Sequence, residues 1–412
     1  MPTFKPFRGI RPHEDILESF PTQVLDSFAD VQNLEHKNEV SYIQMVMPYL
    51  KGDEENKDTN LQKVRSNFEV LLEEKKLLQD GSAYYLYAQI HPNKAVFRGL
   101  LGLVSIHDFW DGKVKRHEST IPQKKEELAY YLEKVQIQAE PVLLTYPSNP
   151  KIELMMNMEE KTIPVIKMTD ENGVQHKVWK IDNRLKMQQI KEALDLQNAF
   201  YIADGHHRMG AVSLCAKNIS EKNKKTLPTD GHNFVYSFIV SNQSIKINDY
   251  NRYITSLNGM TKEELLKKME TYFSINERGE EVYFPTKKHH FSMYLDGKFY
   301  SLHLKSEARN CDNGQILVDH QLFNQYVLKE IFNIEDPDSS ELICYTKGNS
   351  GKEGIMKLKD EVDNGNGVVG FGIYPISFQD IIQISDQKII MPPKCTYIEP
   401  KLVSALVMYD MK

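Results

Sequence analysis

Apolar and polar positions along this chain fall into alternating textures that predict its elements. Residues Tyr84–Ile90 and Val96–Ile106 are aromatic, aliphatic or β-branched almost throughout, as expected of adjacent strands covered on both faces, with Gly99 and Gly102 inside the second. A helical spacing of apolar residues precedes them over Leu61–Leu78. A charged, leucine-spaced stretch follows over Gln123–Gln136, with Pro122 where a first helical residue needs no N–H. Pro141–Tyr146 then predicts a strand, Val165–Met168 and Val174–Ile181 a strand pair around the turn at Glu171–Gly173, and Leu185–Leu196 a helix. The short apolar run Asn198–Ala203 leads directly into the polar string Asp204-Gly205-His206-His207-Arg208. A helix with inner residues Ala211, Val212, Leu214 and Ala216 follows.

Beyond about Thr226 the pattern starts afresh. Phe234–Val240 and His289–Leu304 predict strands, Lys262–Tyr272 and Val318–Phe332 helices, and short strands alternate with Phe378–Ile384 in the tail. The reading is a mixed α/β (α+β) chain in three parts: an irregular and helical segment over 1–82, a core over 83–225, and a C-terminal α/β domain over 226–412. At 412 residues each part has enough chain to bury a core.

Composition narrows the function classes. Hydrophobic residues at 41% and charged residues at 26% are ordinary globular values. The 51 Lys+Arg against 57 Asp+Glu leave a net charge of −6, which argues against a generic nucleic-acid binder. No apolar run reaches signal-peptide or membrane-spanning length, so the expectation is a soluble cytoplasmic protein without a membrane partner. The cysteines Cys215, Cys311, Cys344 and Cys395 are too widely spaced for a zinc or disulfide signature.

Candidate chemistry concentrates at Asp204–Arg208. A strand, a tight polar turn and a helix make an anion site, because unpaired N–H groups at the helix start face whatever occupies the turn. Gly205 keeps the turn uncrowded, Arg208 offers a planar fork for phosphate oxygens, and His206 and His207 can donate to oxyanions or move protons. Asp204 could hold a metal, orient a histidine or simply cap the helix. A second group, Lys115-Arg116-His117-Glu118-Ser119-Thr120, sets a potential base, Glu118, beside a potential phosphate contact, Thr120, although Thr120 could equally be a cap. A third, Met391-Pro392-Pro393-Lys394, fixes the backbone before a lysine suited to phosphate as a point charge.

Other signals weigh less. Thr346–Glu353 imitates a phosphate-binding glycine loop but lacks its first glycine and its closing Ser or Thr, so it reads as a loop. Lys287-Lys288-His289-His290 reads as the solvated start of a strand. Arg98, Asn251 and Arg252 look like exposed polar residues without an assigned role.

At Ile202–Arg208 the sequence resembles a large bacterial family of unknown function marked by an ADGHHR motif. The resemblance runs through Pro6–Gly9, Arg116-His117-Glu118 with Thr120, Glu140-Pro141-Val142, the motif itself and Met391–Lys394, departing at Met209 and Cys395. The order of the motifs is also similar to the ParB/sulfiredoxin superfamily, which includes enzymes that phosphorylate free L-serine using ADP, ATP or pyrophosphate. That likeness implies a ParB/sulfiredoxin-like phosphate-binding core and a Mg²⁺-dependent small-molecule phosphotransferase. It implies Glu118, Asp204 and His206 as catalytic residues, and Asp204 as the Mg²⁺ ligand. Gly205, His207, Arg208, Lys394, Arg116, His117 and Thr120 would hold phosphates.

L-serine and a small donor are then the expected partners, with pyrophosphate favoured over a nucleotide and a homodimer compatible. A phosphoserine phosphatase and a nucleotide-binding switch protein are the rival readings.

Overall fold

The computed structural model describes residues 1–23, 40–52, 54–223, 225–248, 250–309, 318–337, 340–347, 351–391 and 395–412. The chain forms two compact units. The first comprises Met1–Arg116, Thr120–Ile245 and Pro400–Lys412; the second comprises His117–Ser119 and Lys246–Glu399. Both are mixed α+β.

The first unit is built on a nine-stranded sheet. Its strands run in the order Ile166–Thr169, Gln175–Ile181, Tyr84–Ile90, Val96–Ser105, Phe234–Ser241, Val142–Tyr146, Phe200–Asp204 and Val114–Lys115, and Phe4–Lys5 adds to Val96–Ser105. The central strands are buried along nearly their whole length, which is why their sequences are apolar without alternation. Phe234–Ser241 runs parallel to Val142–Tyr146, whereas Phe200–Asp204 runs antiparallel to it. Gly102 admits the N-terminal strand, because a Cβ there would lie 2.4 Å from the Phe4 ring.

The described residues of 1–82 pack into this same unit. Helix Lys57–Glu73 contributes Leu61, Val64 and Phe68 to a cluster with Ile10, Phe20, Met45, Val135 and Met408. The sequence pattern carries that helix on to Leu78, but the chain leaves it at Glu73 and forms the strand Leu77–Gln79 against Ile10–Pro12. Helix Pro122–Val135 begins on Pro122 as its spacing predicts, and Gln136 closes it in the left-handed conformation.

The second unit carries a six-stranded sheet in the order Phe273–Gly279, Lys298–Leu304, His290–Leu295, Val369–Ile373, Tyr250–Ile254 and Ile343–Lys347. The run His289–Leu304 is a hairpin rather than one strand, turning at Asp296–Gly297, where both residues have positive φ. One face packs its apolar residues with helix Lys262–Tyr272, capped by Thr261 and Glu264, and with Asp319–Phe323, which continues as a wider π-type helix over Asn324–Ile331. On the other face helix Lys352–Asp363 sets Ile355 and Leu358 against Gly372 and Gly370. Of the stretch read as a loop over Thr346–Glu353, Thr346 and Lys347 end one strand, Lys352 and Glu353 begin this helix, and 348–350 lie outside the described residues. Among the described residues no helix is long and apolar enough to cross a membrane.

Candidate functional site

The site is laid out by the step from strand Phe200–Asp204 to helix His206–Lys222. Gly205 is the residue before the helix and has φ +92°, a conformation that other L-residues adopt at a cost. A Cβ at Gly205 would also lie 3.0 Å from Arg208 Nε. Glycine is required there twice over, by conformation and by contact.

Asp204 and Arg208, expected as a metal ligand and a phosphate fork, bind each other. Arg208 Nη2 donates to Asp204 Oδ2 at 2.8 Å, and Lys401 Nζ donates to Oδ1 at 2.8 Å. Arg208 Nη1 donates to the Pro141 carbonyl and lies 3.9 Å from Glu140, whose other oxygen accepts from Ser404 Oγ at 2.8 Å. Burial works against the charged Asp204 carboxylate, but Lys401 and Arg208 outweigh it and hold its pKa below the ordinary carboxylate range. Both Asp204 oxygens thus face cations of the chain.

On the other side of the helix start is a pocket of about 160 Å³. Arg116, Thr120, Lys125, His206, Ser213 and Lys217 supply its polar lining, and Phe109, Ile202 and Leu214 its apolar walls. Among the described residues that line it there is no carboxylate. Three cations and the buried imidazole of His206 are groups that could hold an anion.

His206, Gly210, Ser213 or Leu214, and Lys217 recur at helical spacing, so they share the face that forms the pocket floor. Gly210 lets a second helix contribute: its missing side chain leaves room for Lys125, whose Cδ would be 3.2 Å from a Cβ there. Trp110 Nε1 donates to Ser213 Oγ at 2.8 Å, and Lys217 Nζ lies 5.6 Å from the Trp110 ring.

Of the residues expected at the site, the structure brings Arg116, Thr120 and His206 to this pocket. Gly205 shapes the turn. His207 is partly buried, with a buried Nδ1 that has no hydrogen-bond partner among the described residues, and its pKa is lowered by burial and then by Lys124. His117 and Glu118 belong to the second unit, where Glu118 bridges Met391. There the His117 carbonyl accepts from Met391 N at 2.8 Å, and His117 is fully buried. Lys394 lies outside the described residues. Lys125, Ser213 and Lys217 were not anticipated. The i, i+4, i+7, i+11 spacing from His206 is the signal that would have found the last two.

A second cavity in the first unit, about 300 Å³, has a different character. Tyr42, Tyr49, Tyr131 and aliphatic side chains line it, with Glu140, Arg208 and Ser404 among its polar residues. Burial raises the phenol pKa of Tyr42 and Tyr131 well above the usual value. Arg98 proves to be ion-paired, with Glu160 at 2.7 Å and Glu153 at 3.1 Å.

Residues 4–329 match the family described as "Protein of unknown function (DUF1015)", and the chain belongs to that family. No curated protein matches it. Among solved structures it is similar to the C-terminally truncated SbnI from Staphylococcus aureus, with 11% identity, a TM-score of 0.38 and coverage of 74% of this chain and 87% of that one. It is also similar to a free serine kinase in complex with AMP, with 13% identity, a TM-score of 0.35 and coverage of 74% and 91%. A conserved hypothetical protein from Pyrococcus furiosus gives 12% identity, a TM-score of 0.33 and coverage of 72% and 89%.

Proposed function

We propose that this chain is a small-molecule phosphotransferase that makes O-phospho-L-serine from free L-serine with pyrophosphate as donor. The observation that carries the reading is the cationic pocket of Arg116, Lys125, His206 and Lys217. Phosphoryl transfer asks little covalent chemistry of a protein; it asks for cations on the phosphate oxygens and an aligned acceptor. A volume of about 160 Å³ suits a donor made only of phosphates better than one carrying a base and a sugar. L-serine as acceptor rests on the motif resemblance.

Glu118 stands in the chain midway between Arg116 and Thr120, both of which line the pocket, and is the proposed base. It takes the hydroxyl proton as the serine oxygen bonds to phosphorus. The bridging P–O bond breaks and inorganic phosphate leaves. Arg116, Lys125 and Lys217 offset the charge that moves to the leaving oxygens, and His206 donates to one of them. Asp204 and Arg208 hold the turn that points the helix start at the donor. Mg²⁺ would enter bound to the donor phosphates, and Asp204 would be its ligand from the chain, each of its oxygens keeping a lone pair beside the bond from Lys401 or Arg208.

The test is phosphorus NMR of the purified protein with Mg²⁺ and L-serine, offering pyrophosphate, ADP and ATP separately, with O-phosphoserine alone as a fourth sample. A phosphoserine signal with pyrophosphate supports the reading, and one with a nucleotide only replaces the donor. Phosphate released from the fourth sample alone makes the protein a phosphatase. Four silent samples refute phosphotransfer to serine.

A further inference from the structure

We propose that the second unit holds a small oxyanion at Arg252, independently of the pocket in the first unit. Arg252 lies in the strand Tyr250–Ile254, next to the edge of the six-stranded sheet and hydrogen-bonded to strands on both sides. It is 1% exposed, which places it among the largest fully buried side chains. Its register partners are Tyr345 and Phe371, and its guanidinium carbon is 5.3 Å from the Phe323 ring centre and 5.5 Å from that of Tyr345. Aromatic rings fix the position of the cation without accepting its N–H groups along their own directions.

Nε and Nη1 are buried and have no hydrogen-bond partner among the described residues. Among the described residues no carboxylate forms an ion pair with Arg252, and the acid beside His320 in the chain is engaged with another residue. Asp319 accepts the His289 backbone N–H at 3.0 and 2.9 Å, and Asp380 takes Lys288 and Ser377.

A second side chain is in the same condition. His320 is fully buried and neither ring nitrogen has a partner among the described residues. Burial, and then the charge of Arg252, push its pKa well below the ordinary value, so it is neutral and offers one N–H. A buried cation without a counter-charge and a buried imidazole without a partner are each strongly unfavourable, and folded proteins satisfy such groups. A cation is excluded as the missing partner by Arg252 itself. An oxyanion, whether a carboxylate or a phosphate, supplies both the negative charge and the several acceptor oxygens that these donors need.

The full-length chain with ¹⁵N-labelled arginine tests this. The Arg252 Nε–H signal is assigned by its loss in Arg252→Met, or in Arg252→Lys if the first variant does not fold. Inorganic phosphate, acetate and chloride are then titrated separately at constant ionic strength. The expected result is a saturable shift of that signal with phosphate or with acetate, which names the source, and none with chloride.

The same shift must appear in Arg116→Ala/Lys217→Ala, which lacks the pocket cations of the first unit. Its persistence there separates this inference from the proposed activity. An Arg252 signal indifferent to all three solutes means that water alone satisfies these groups, and overturns the inference. So does a response lost with the pocket cations, or one to chloride as large as to the oxyanions.

Discussion

Two glycines five residues apart, Gly205 and Gly210, should respond to the same change, Gly→Ala, with opposite signs. At Gly205, φ +92° is a left-handed conformation that costs an L-residue about 1–2 kcal/mol. The added Cβ also meets the guanidinium that Arg208 holds between Asp204 and Pro141. Loosening that partly exposed pair adds about 0–1 kcal/mol, and the stiffer unfolded chain returns about 0.4–1 kcal/mol. The net is a loss of about 1.3 kcal/mol. Gly210 is inside the helix with ordinary φ, so alanine gains about 1 kcal/mol of helix propensity. A Cβ there presses on the aliphatic stem of Lys125, a flexible group that can give by a few tenths of an ångström, and Gly210→Ala should be stabilising by roughly 0.5–1 kcal/mol.

Denaturant unfolding followed by tryptophan fluorescence reads this cleanly, because Trp110 and Trp179 are the chain's two tryptophans and both lie in the first unit. The midpoints should separate by about 2 kcal/mol between the variants at unchanged slope. Shifts of the same sign would refute the account of the turn. Gly205→Ala as stable as the parent would show that the strain at φ +92° is absent in solution. The functional consequence also differs: Gly210→Ala crowds the pocket through Lys125, so it should weaken pyrophosphate binding while stabilising the fold.

Lys125→Met and Lys217→Met should each weaken pyrophosphate binding by roughly three- to tenfold in calorimetry, since both cations face solvent on one side; unchanged affinity removes that lysine from the site. Glu118→Gln should abolish transfer to serine and leave pyrophosphate affinity nearly intact, whereas retained turnover would end its role as base. Asp204 has a folded pKa below its unfolded one, so its contribution is present above about pH 4 and lost as pH falls through the folded value. Asp204→Asn should therefore flatten the acid limb of the stability curve of the first unit, and an unchanged limb would show that Lys401 and Arg208 do not hold the carboxylate in solution.

What the sequence disclosed follows from how local each cause is. The apolar run into Phe200–Asp204, the glycine and the small-residue helix are adjacent in the chain, so the turn was legible. So was helix Pro122–Val135, because Pro122 marks its start locally. Helix Pro150–Glu159 carried the same kind of mark, Asn149 capping and Pro150 first, and was overlooked among the surrounding strands. The pocket was legible only by halves, since Lys125 comes from one helix and Lys217 from another, and only packing brings them together.

Arg208 shows the converse: an Asp and an Arg four residues apart across a turn are placed to pair, and that local geometry uses the fork that sequence reasoning assigned to a phosphate. Arg252 was misread as exposed for the opposite reason. In a strand, residues two apart share a face, so fully buried Ile254 places Arg252 on a buried face as well. The charge of Arg252 suggests solvent while its register dictates the core, and register decides because moving the strand by one residue would take Ile254 out of the apolar cluster it packs in. A chain that keeps arginine at such a position needs something there to accept its hydrogen bonds, and this conflict between side chain and register is what points to the oxyanion.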